Sequence, residues 1–210
     1  MQRIIIADDH PVVRAGIKQI IADSQDMEVA GEASDGNELL DKVRSDRFDV
    51  VVLDITMPGM NGLDVLKQIK VEYPKLPVLI LSIHPEDQYA VRVLKAGASG
   101  YLTKASAPEK LVEAIRKISS GGKYVSSSLA EKLASELSKD YEAMPHESLS
   151  DREYQVTCLI ASGKTVSEIA DELSLSVKTV STYRTRILEK MNMSSNAELT
   201  HYAIKNHLVD

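Results

Sequence analysis

Three stretches of the chain are apolar at almost every position: Arg3-Ile4-Ile5-Ile6-Ala7, Asp49-Val50-Val51-Val52-Leu53 and Pro77-Val78-Leu79-Ile80-Leu81. A strand that faces water on one side alternates apolar with polar residues, so unbroken runs predict strands covered by helices on both faces. Met27-Glu28-Val29-Ala30-Gly31 and Ser99-Gly100-Tyr101-Leu102-Thr103 carry a weaker form of the same signal. Between these runs apolar residues recur at helical spacing over 11–23, 36–45, 62–72, 86–96 and 107–120. The first of these opens with Pro11, whose missing N–H is harmless in a first helical turn. Five β–α units in residues 1–120 predict an α/β fold, a right-handed, doubly wound, five-stranded parallel sheet.

After Gly121-Gly122 the pattern changes. Residues 121–147 hold serines at 126–128, a helical stretch over Ser128–Leu137 and a polar run interrupted by Pro145, which together predict a linker with one helix. Gly121-Gly122-Lys123 has neither the preceding strand nor the spacing of a phosphate-binding loop and is read as a turn. From Leu149 onward every apolar period is helical, in four short units, so residues 148–210 predict a separate all-α domain. Ser150 with Glu153 and Thr165 with Glu168 have the spacing of capping boxes, in which a hydroxyl and a carboxylate satisfy otherwise orphan amides. The first helix runs to Ala161, is stopped by Ser162-Gly163-Lys164, and a second runs through Leu173. A tight turn at Ser174-Leu175-Ser176 leads into a longer helix, Val177–Met191, and a last one spans Asn196–Asn206. Two helices joined by so short a turn, the second longer and basic, form a helix-turn-helix.

The strand ends carry the candidate chemistry. Strand ends on the carboxyl edge of a parallel sheet converge, so Asp8, Asp9, Asp54 and Lys104 fall at one site, with Ser82 ending the fourth strand beside them. Three carboxylates in one crevice are unfavourable unless protons or a hard cation relieve the charge, and Mg²⁺ suits a set that lacks soft ligands. Lys104 adds an ammonium that can pair with a phosphoryl oxygen, and Ser82 adds a hydroxyl. The set suits phosphoryl transfer with Asp54 as nucleophile and metal and lysine neutralising the transferred group. Taken singly, an aspartate pair after a strand also caps helices, and a lone serine or lysine is ordinary surface. The joint placement on successive strands is what favours a site.

In the second domain, residues 148–210 hold 7 Lys+Arg against 8 Asp+Glu, yet Val177–Met191 holds Lys178, Arg184, Arg186 and Lys190 against Glu189 alone. Basic charge concentrated on the second helix of a helix-turn-helix suits the DNA major groove. The alternative is a solvated amphipathic helix with Val180, Ile187 and Leu188 packed inward.

Ile6-Ala7-Asp8-Asp9-His10-Pro11, Asp54-Ile55-Thr56-Met57-Pro58-Gly59-Met60-Asn61-Gly62 and Lys95-Ala96-Gly97-Ala98-Ser99-Gly100-Tyr101-Leu102-Thr103-Lys104 resemble a bacterial two-component receiver domain. The resemblance implies that Asp54 accepts a phosphoryl group from a sensor histidine kinase, and that Asp8 and Asp9 hold Mg²⁺ with the backbone carbonyl of Thr56 as a further ligand. It also implies that Ser82 and Tyr101 form a switch pair, a hydroxyl that moves toward the phosphate and an aromatic that turns inward behind it. Tyr101 also reads as a half-buried strand aromatic. Leu149-Ser150-Asp151-Arg152-Glu153, Ile169 through Val180, and Ala197-Glu198-Leu199 look like the LuxR-type helix-turn-helix. The pairing of the two is similar to the NarL/FixJ family of DNA-binding transcriptional response regulators. By that resemblance Lys178 and Thr179 meet phosphates, Ser181, Thr182 and Thr185 face bases, and the final helix pairs with its mate in a homodimer on double-stranded promoter DNA. RNA polymerase is a further implied partner. Where many members carry Lys and His after Lys-Thr-Val, this chain has Ser181 and Tyr183, so base preference does not carry over, and Arg184 or Arg186 is available for phosphate contacts.

Composition narrows the picture further. With 210 residues and 43% hydrophobic residues the chain can bury two cores. Its single cysteine, Cys158, sits in an apolar stretch and gives no disulfide framework, and no signal peptide or long apolar run appears, which points to the cytoplasm and excludes membrane spanning. A net charge of −6 argues against broad non-specific binding of nucleic acid by the whole chain. An aspartate-nucleophile phosphatase of the haloacid-dehalogenase kind wants a second Asp two residues after the nucleophile, where this chain has Thr56. The expected role is therefore non-catalytic regulation, with at most slow self-dephosphorylation. The other reading is a transcription factor whose receiver works without phosphorylation.

Overall fold

The computed structural model describes residues 1–127, 129–131, 133 and 144–209, with 87 and 88 by backbone only. The chain divides into two compact units, Met1–Ala134 and Ser135–Asp210.

In the first unit the strands are β1 (Gln2–Ala7), β2 (Met27–Ala33), β3 (Val50–Asp54), β4 (Val78–Ser82) and β5 (Gly100–Thr103). They pair in parallel in the order β2-β1-β3-β4-β5. The helices are α1 (Pro11–Ala22), α2 (Gly36–Ser45), α3 (Gly62–Glu72), α4 (Glu86–Lys95) and α5 (Ala107–Ser119). Every residue of β3 and β4 is buried, as their unbroken apolar runs require. Ile4, Ile6, Val50, Val52, Leu79 and Leu81 join Ile17 and Ile21 of α1 and Leu111, Ile115 and Ile118 of α5 in one core. Ile5, Val51, Leu53 and Ile80, also buried, alternate to the opposite face.

Two features of the sheet were not foreseen. β2 extends to Ala33, two residues past its apolar signal, and its register against β1 shifts between Ile4 and Ile5. The segment read as linker begins by pairing with the sheet: Tyr124 N–H donates to Ser99 O at 2.9 Å and Tyr124 O accepts from Tyr101 N–H at 3.3 Å. The approach is so close that a Cβ on Gly100 would stand 2.8 Å from the Tyr124 carbonyl oxygen. Most of the linker helix expected over 128–137 lies outside the described residues.

The second unit holds, among the described residues, a 3₁₀ helix at Pro145–Ser148 and four α-helices: α6 (Asp151–Ala161), α7 (Val166–Glu172), α8 (Val177–Lys190) and α9 (Asn196–Lys205). Both capping boxes form as their spacing predicts, Ser150 with Glu153 and Thr165 with Glu168. The turn between α7 and α8 closes by Leu175 N–H donating to Ala170 O at 2.8 Å, with Ser174 in the left-handed region at φ 52°. Val156, Ile169, Leu173, Val180, Ile187, Leu199 and Ala203 form the buried interior. Among the described residues no helix is long and apolar enough to cross a membrane.

Candidate functional site

The ends of β1, β3 and β5 meet at the carboxyl edge, the position the topology reserves for ligands. Asp8 and Asp54 are both almost fully buried there. Lys104 opens a 3₁₀ turn held by Thr103, whose hydroxyl accepts from Ser106 N–H. Its ammonium then lies 2.7 Å from Asp8 Oδ2 and 2.7 Å from Asp54 Oδ2. The other oxygen of Asp54 accepts from Thr56 N–H at 3.1 Å. Burial raises the Asp54 carboxyl to about 6, against the pull of Lys104. The same two carboxylates hold the Lys104 ammonium above its ordinary value despite its own burial.

Asp8, Asp9, His10 and Asp54 each offer one ligand atom within 4.8 Å of the others. His10 was missed at the sequence level although it follows the aspartate pair directly. Its Nδ1 lies 2.8 Å from Asp9 Oδ1 and 3.3 Å from Asp8 Oδ1, and its backbone N–H donates to Asp8 Oδ1 at 2.8 Å. The imidazole is thus engaged with the carboxylates, and the acidic cluster Asp8, Asp9 and Asp54 is of the hard-oxygen kind typical of a Mg²⁺ site.

The loop after β3 is constrained by packing. Asn61 caps α3 by accepting from Leu63 N–H at 2.9 Å, and Gly62 N–H donates to Ile55 O at 3.0 Å. A Cβ on Gly62 would stand 2.3 Å from the Asp54 carbonyl oxygen, so only glycine lets α3 start against the strand end.

Ser82 is buried, and its hydroxyl accepts from His84 N–H at 3.1 Å. Tyr101 is also fully buried, with its hydroxyl donating to His84 O at 2.8 Å, so the aromatic stands inward. Burial pushes the Tyr101 phenol well above its ordinary value. His84, which no sequence signal marked, ties these elements together, since its Nε2 also lies 3.5 Å from Thr56 Oγ1.

In the second unit, Ser176 caps α8 by accepting from Thr179 N–H at 3.0 Å, and the two hydroxyls lie 2.7 Å apart. Lys178, Ser181, Thr182, Thr185 and Arg186 are exposed, while Val180 and Ile187 are buried. Positions 178, 181, 182 and 185 follow helical spacing and share one outward face. Thr182 and Thr185 donate their hydroxyl protons to Lys178 O and Ser181 O. Arg184 is only half-exposed and donates through Nε to Asn196 Oδ1 at 2.6 Å, tying α8 to the start of α9. Of the two arginines, Arg186 is therefore the one left exposed. On α9, Ala197, Thr200, His201, Ile204 and Lys205 line a shallow, largely apolar surface.

Residues 4–116 match the response regulator receiver domain, and residues 147–203 match the bacterial regulatory proteins of the luxR family. The chain is 39% identical over 209 residues to response regulator UvrY of Escherichia coli strain K12, covering 99% of this chain and 96% of UvrY. Among solved structures it is similar to RcsB from Salmonella enterica serovar Typhimurium bound to promoter rprA in the presence of phosphomimetic BeF3⁻. That likeness has a TM-score of 0.65 and 28% identity over 96% of this chain and 98% of RcsB. Two RcsB dimers bound to two parallel DNAs give a TM-score of 0.60 and 28% identity over 100% of this chain and 99% of that one.

Proposed function

This chain belongs to the NarL/FixJ family of two-component response regulators, and on that premise we propose that phosphorylation of Asp54 controls its dimerisation and its binding to promoter DNA. It is a non-catalytic regulator with a luxR-type DNA-binding domain. The observation that supports the phosphorylation reading most is the Lys104 ammonium spanning Asp8 and Asp54 at 2.7 Å each, at a buried strand edge.

In this reading the donor is a phosphohistidine on a sensor kinase. The Asp54 carboxylate attacks phosphorus, the new O–P bond forms as the N–P bond breaks, and the imidazole leaves with the bonding pair. Thr56 N–H and Lys104 orient the two carboxylate oxygens beforehand. Asp8, Asp9, Asp54 and the backbone carbonyl of Thr56 would hold Mg²⁺, which when bound would supply positive charge to offset that of a phosphoryl group. The buried Ser82 hydroxyl and the inward Tyr101 then form a two-state element, linked through His84, that the new phosphoryl group biases.

The consequence for DNA is carried by α8 and α9. Lys178 and Arg186 supply phosphate contacts, Thr179 sits at the capped amino end, Ser181, Thr182 and Thr185 present hydroxyls to base edges, and Arg184 acts from beside Asn196. The apolar face of α9 pairs with its symmetry mate, so the dimer reads half-sites about 10 base pairs apart or a multiple of that. The family works in the cytoplasm, and RNA polymerase is the partner through which a promoter-bound dimer acts.

Sedimentation with Mg²⁺ and acetyl phosphate, alongside intact mass, tests the reading. The expected result is one added phosphoryl group with a shift to dimer, and neither change in Asp54→Asn. Equal phosphate-dependent dimerisation in the variant would sink the model, and an unmodified, folded wild type would favour a receiver that works without phosphorylation.

A further inference from the structure

At the end of the sheet opposite the acidic site, where β4 and β5 begin, stand two lysines that the switch does not use. Lys70 lies in the last turn of α3 and is partly buried. Its stem lies against Gly97, where a Cβ would come within 3.0 Å of Lys70 Cγ, and its Nζ donates to Leu76 O at 2.5 Å. Lys123 reaches in from the start of the linker and donates to Ala98 O at 2.6 Å. Leu76 and Ala98 each lie two residues before a strand, so both ammonium groups gather at one edge. Among the described residues neither meets a carboxylate. Lys18 and Lys42, by contrast, are paired with Glu32 and Glu38.

An ammonium group has three donors, and among the described residues that of Lys70 meets one acceptor, Leu76 O, and feels the like charge of Lys123. The neutral amine fits the same place better, because it can donate to Leu76 O and keep a lone pair. Burial first, and the Lys123 charge second, accordingly bring the Lys70 ammonium down from 10.5 to about 8.

We propose that Lys70 is a site of N-acylation by a small acyl phosphate, with Lys123 holding the phosphate that leaves. The Lys70 lone pair attacks the acyl carbon, the C–N bond forms and the C–O bond to phosphate breaks. Inorganic phosphate departs with the bonding pair, and one N–H proton passes to solvent, with no change of oxidation state. The amide keeps one N–H for Leu76 O and removes the repulsion with Lys123, so the product suits the site. The anionic leaving group is what selects an acyl phosphate, since a second ammonium is anchored at the same sheet edge as the nucleophile. A small acyl group is required because the lysine stem is packed against Gly97 and partly buried.

The test is incubation of the full chain with acetyl phosphate and a metal chelator at pH 7.5, followed by residue-resolved mass spectrometry over time. A lysine titrating near 8 is neutral in about a quarter of molecules at that pH, against about one in a thousand for an ordinary one. A less basic amine is intrinsically slower, which returns part of that advantage. Lys70 is expected to acetylate at least about tenfold faster than Lys18 or Lys42. In Lys123→Gln, whose amide can still donate to Ala98 O, the Lys70 rate with acetyl phosphate falls severalfold. With an uncharged acetyl thioester the same variant loses less. Equal rates at Lys70 and Lys18 overturn the assignment, and an unchanged Lys70 rate in Lys123→Gln overturns the role of Lys123. Because the chemistry does not involve Asp54, it stands or falls separately from the phosphorylation switch.

Discussion

Asp54 is expected to destabilise the domain it serves. Its carboxyl is raised from 3.8 to about 6, with burial as the largest cause and Lys104 only partly compensating. At pH 7.5 that shift corresponds to about 3 kcal/mol of native-state cost. Asp54→Asn removes the charge while keeping an oxygen that can accept from Thr56 N–H, and Lys104 retains Asp8 at 2.7 Å. The shift to about 6 already includes the Lys104 attraction, so what offsets part of the gain is the new amide NH₂ facing the Lys104 ammonium, leaving the variant about 1–2 kcal/mol more stable at pH 7.5. Because the native pKa lies above the unfolded one, the folded chain binds more protons between 3.8 and about 6. Wild-type stability attributable to this group therefore falls as pH rises through that window and is level above it. The variant's advantage is small near pH 4 and complete by about pH 7. Native-state amide exchange at Val51 and Val52, with a chelator present and across this pH range, reads the stability of the first unit directly. An offset that does not change with pH, or a variant less stable than wild type at pH 7.5, would refute the reasoning.

Three other perturbations follow from the geometry. Gly62→Ala drives a Cβ into the Asp54 carbonyl, so it should cost at least about 2 kcal/mol in denaturant unfolding and slow phosphorylation; a change below about 0.5 kcal/mol would show that the loop relaxes freely. Lys178→Ala should weaken binding to all duplexes about equally and lower the salt slope by about 1, measured by binding titrations at several salt concentrations; a loss confined to one sequence would mean that Lys178 reads bases. Lys70→Met should stabilise the chain by about 1–2 kcal/mol near pH 7, allowing for solvent screening of a partly exposed group. The native ammonium titrates near 8 and the unfolded one at 10.5, so wild-type stability rises between those values and the variant's advantage should fade by pH 10.5 in paired unfolding curves.

The parts of the fold most legible in the sequence were those whose burial is complete. β1, β3 and β4 stood out because strands covered on both faces leave no polar alternation, and the α1 to α5 boundaries fell within a residue or so of their caps. β2 and β5 were weaker because they are edge strands: five of the seven residues of β2 are only partly buried, and β5 is four residues long. Asp8, Asp54 and Lys104 could be brought together from topology alone, since strand order fixes which ends are neighbours. His10 and His84 could not, because their roles depend on where a ring and a backbone carbonyl point in loops that have no periodicity. Arg184 shows the same limit on a helix: its charge marked it as basic surface, but nothing in the pattern announced that its Nε would donate to Asn196 Oδ1.

The short bridge between Gly100 and Tyr124 bears on how the protein behaves in company. An uncovered outer strand presents free amides and carbonyls to any other extended chain, and is a common starting point for aggregation. Here the polypeptide covers part of that outer row itself, because Tyr124 returns alongside β5 as soon as the chain leaves α5. The other margin of the sheet, β2, is irregular in register against β1 and carries Glu28 and Glu32, both unfavourable to a second sheet. The first residues after the sheet domain thus act as a selvedge, finishing the border of the fabric so that it does not pick up loose thread.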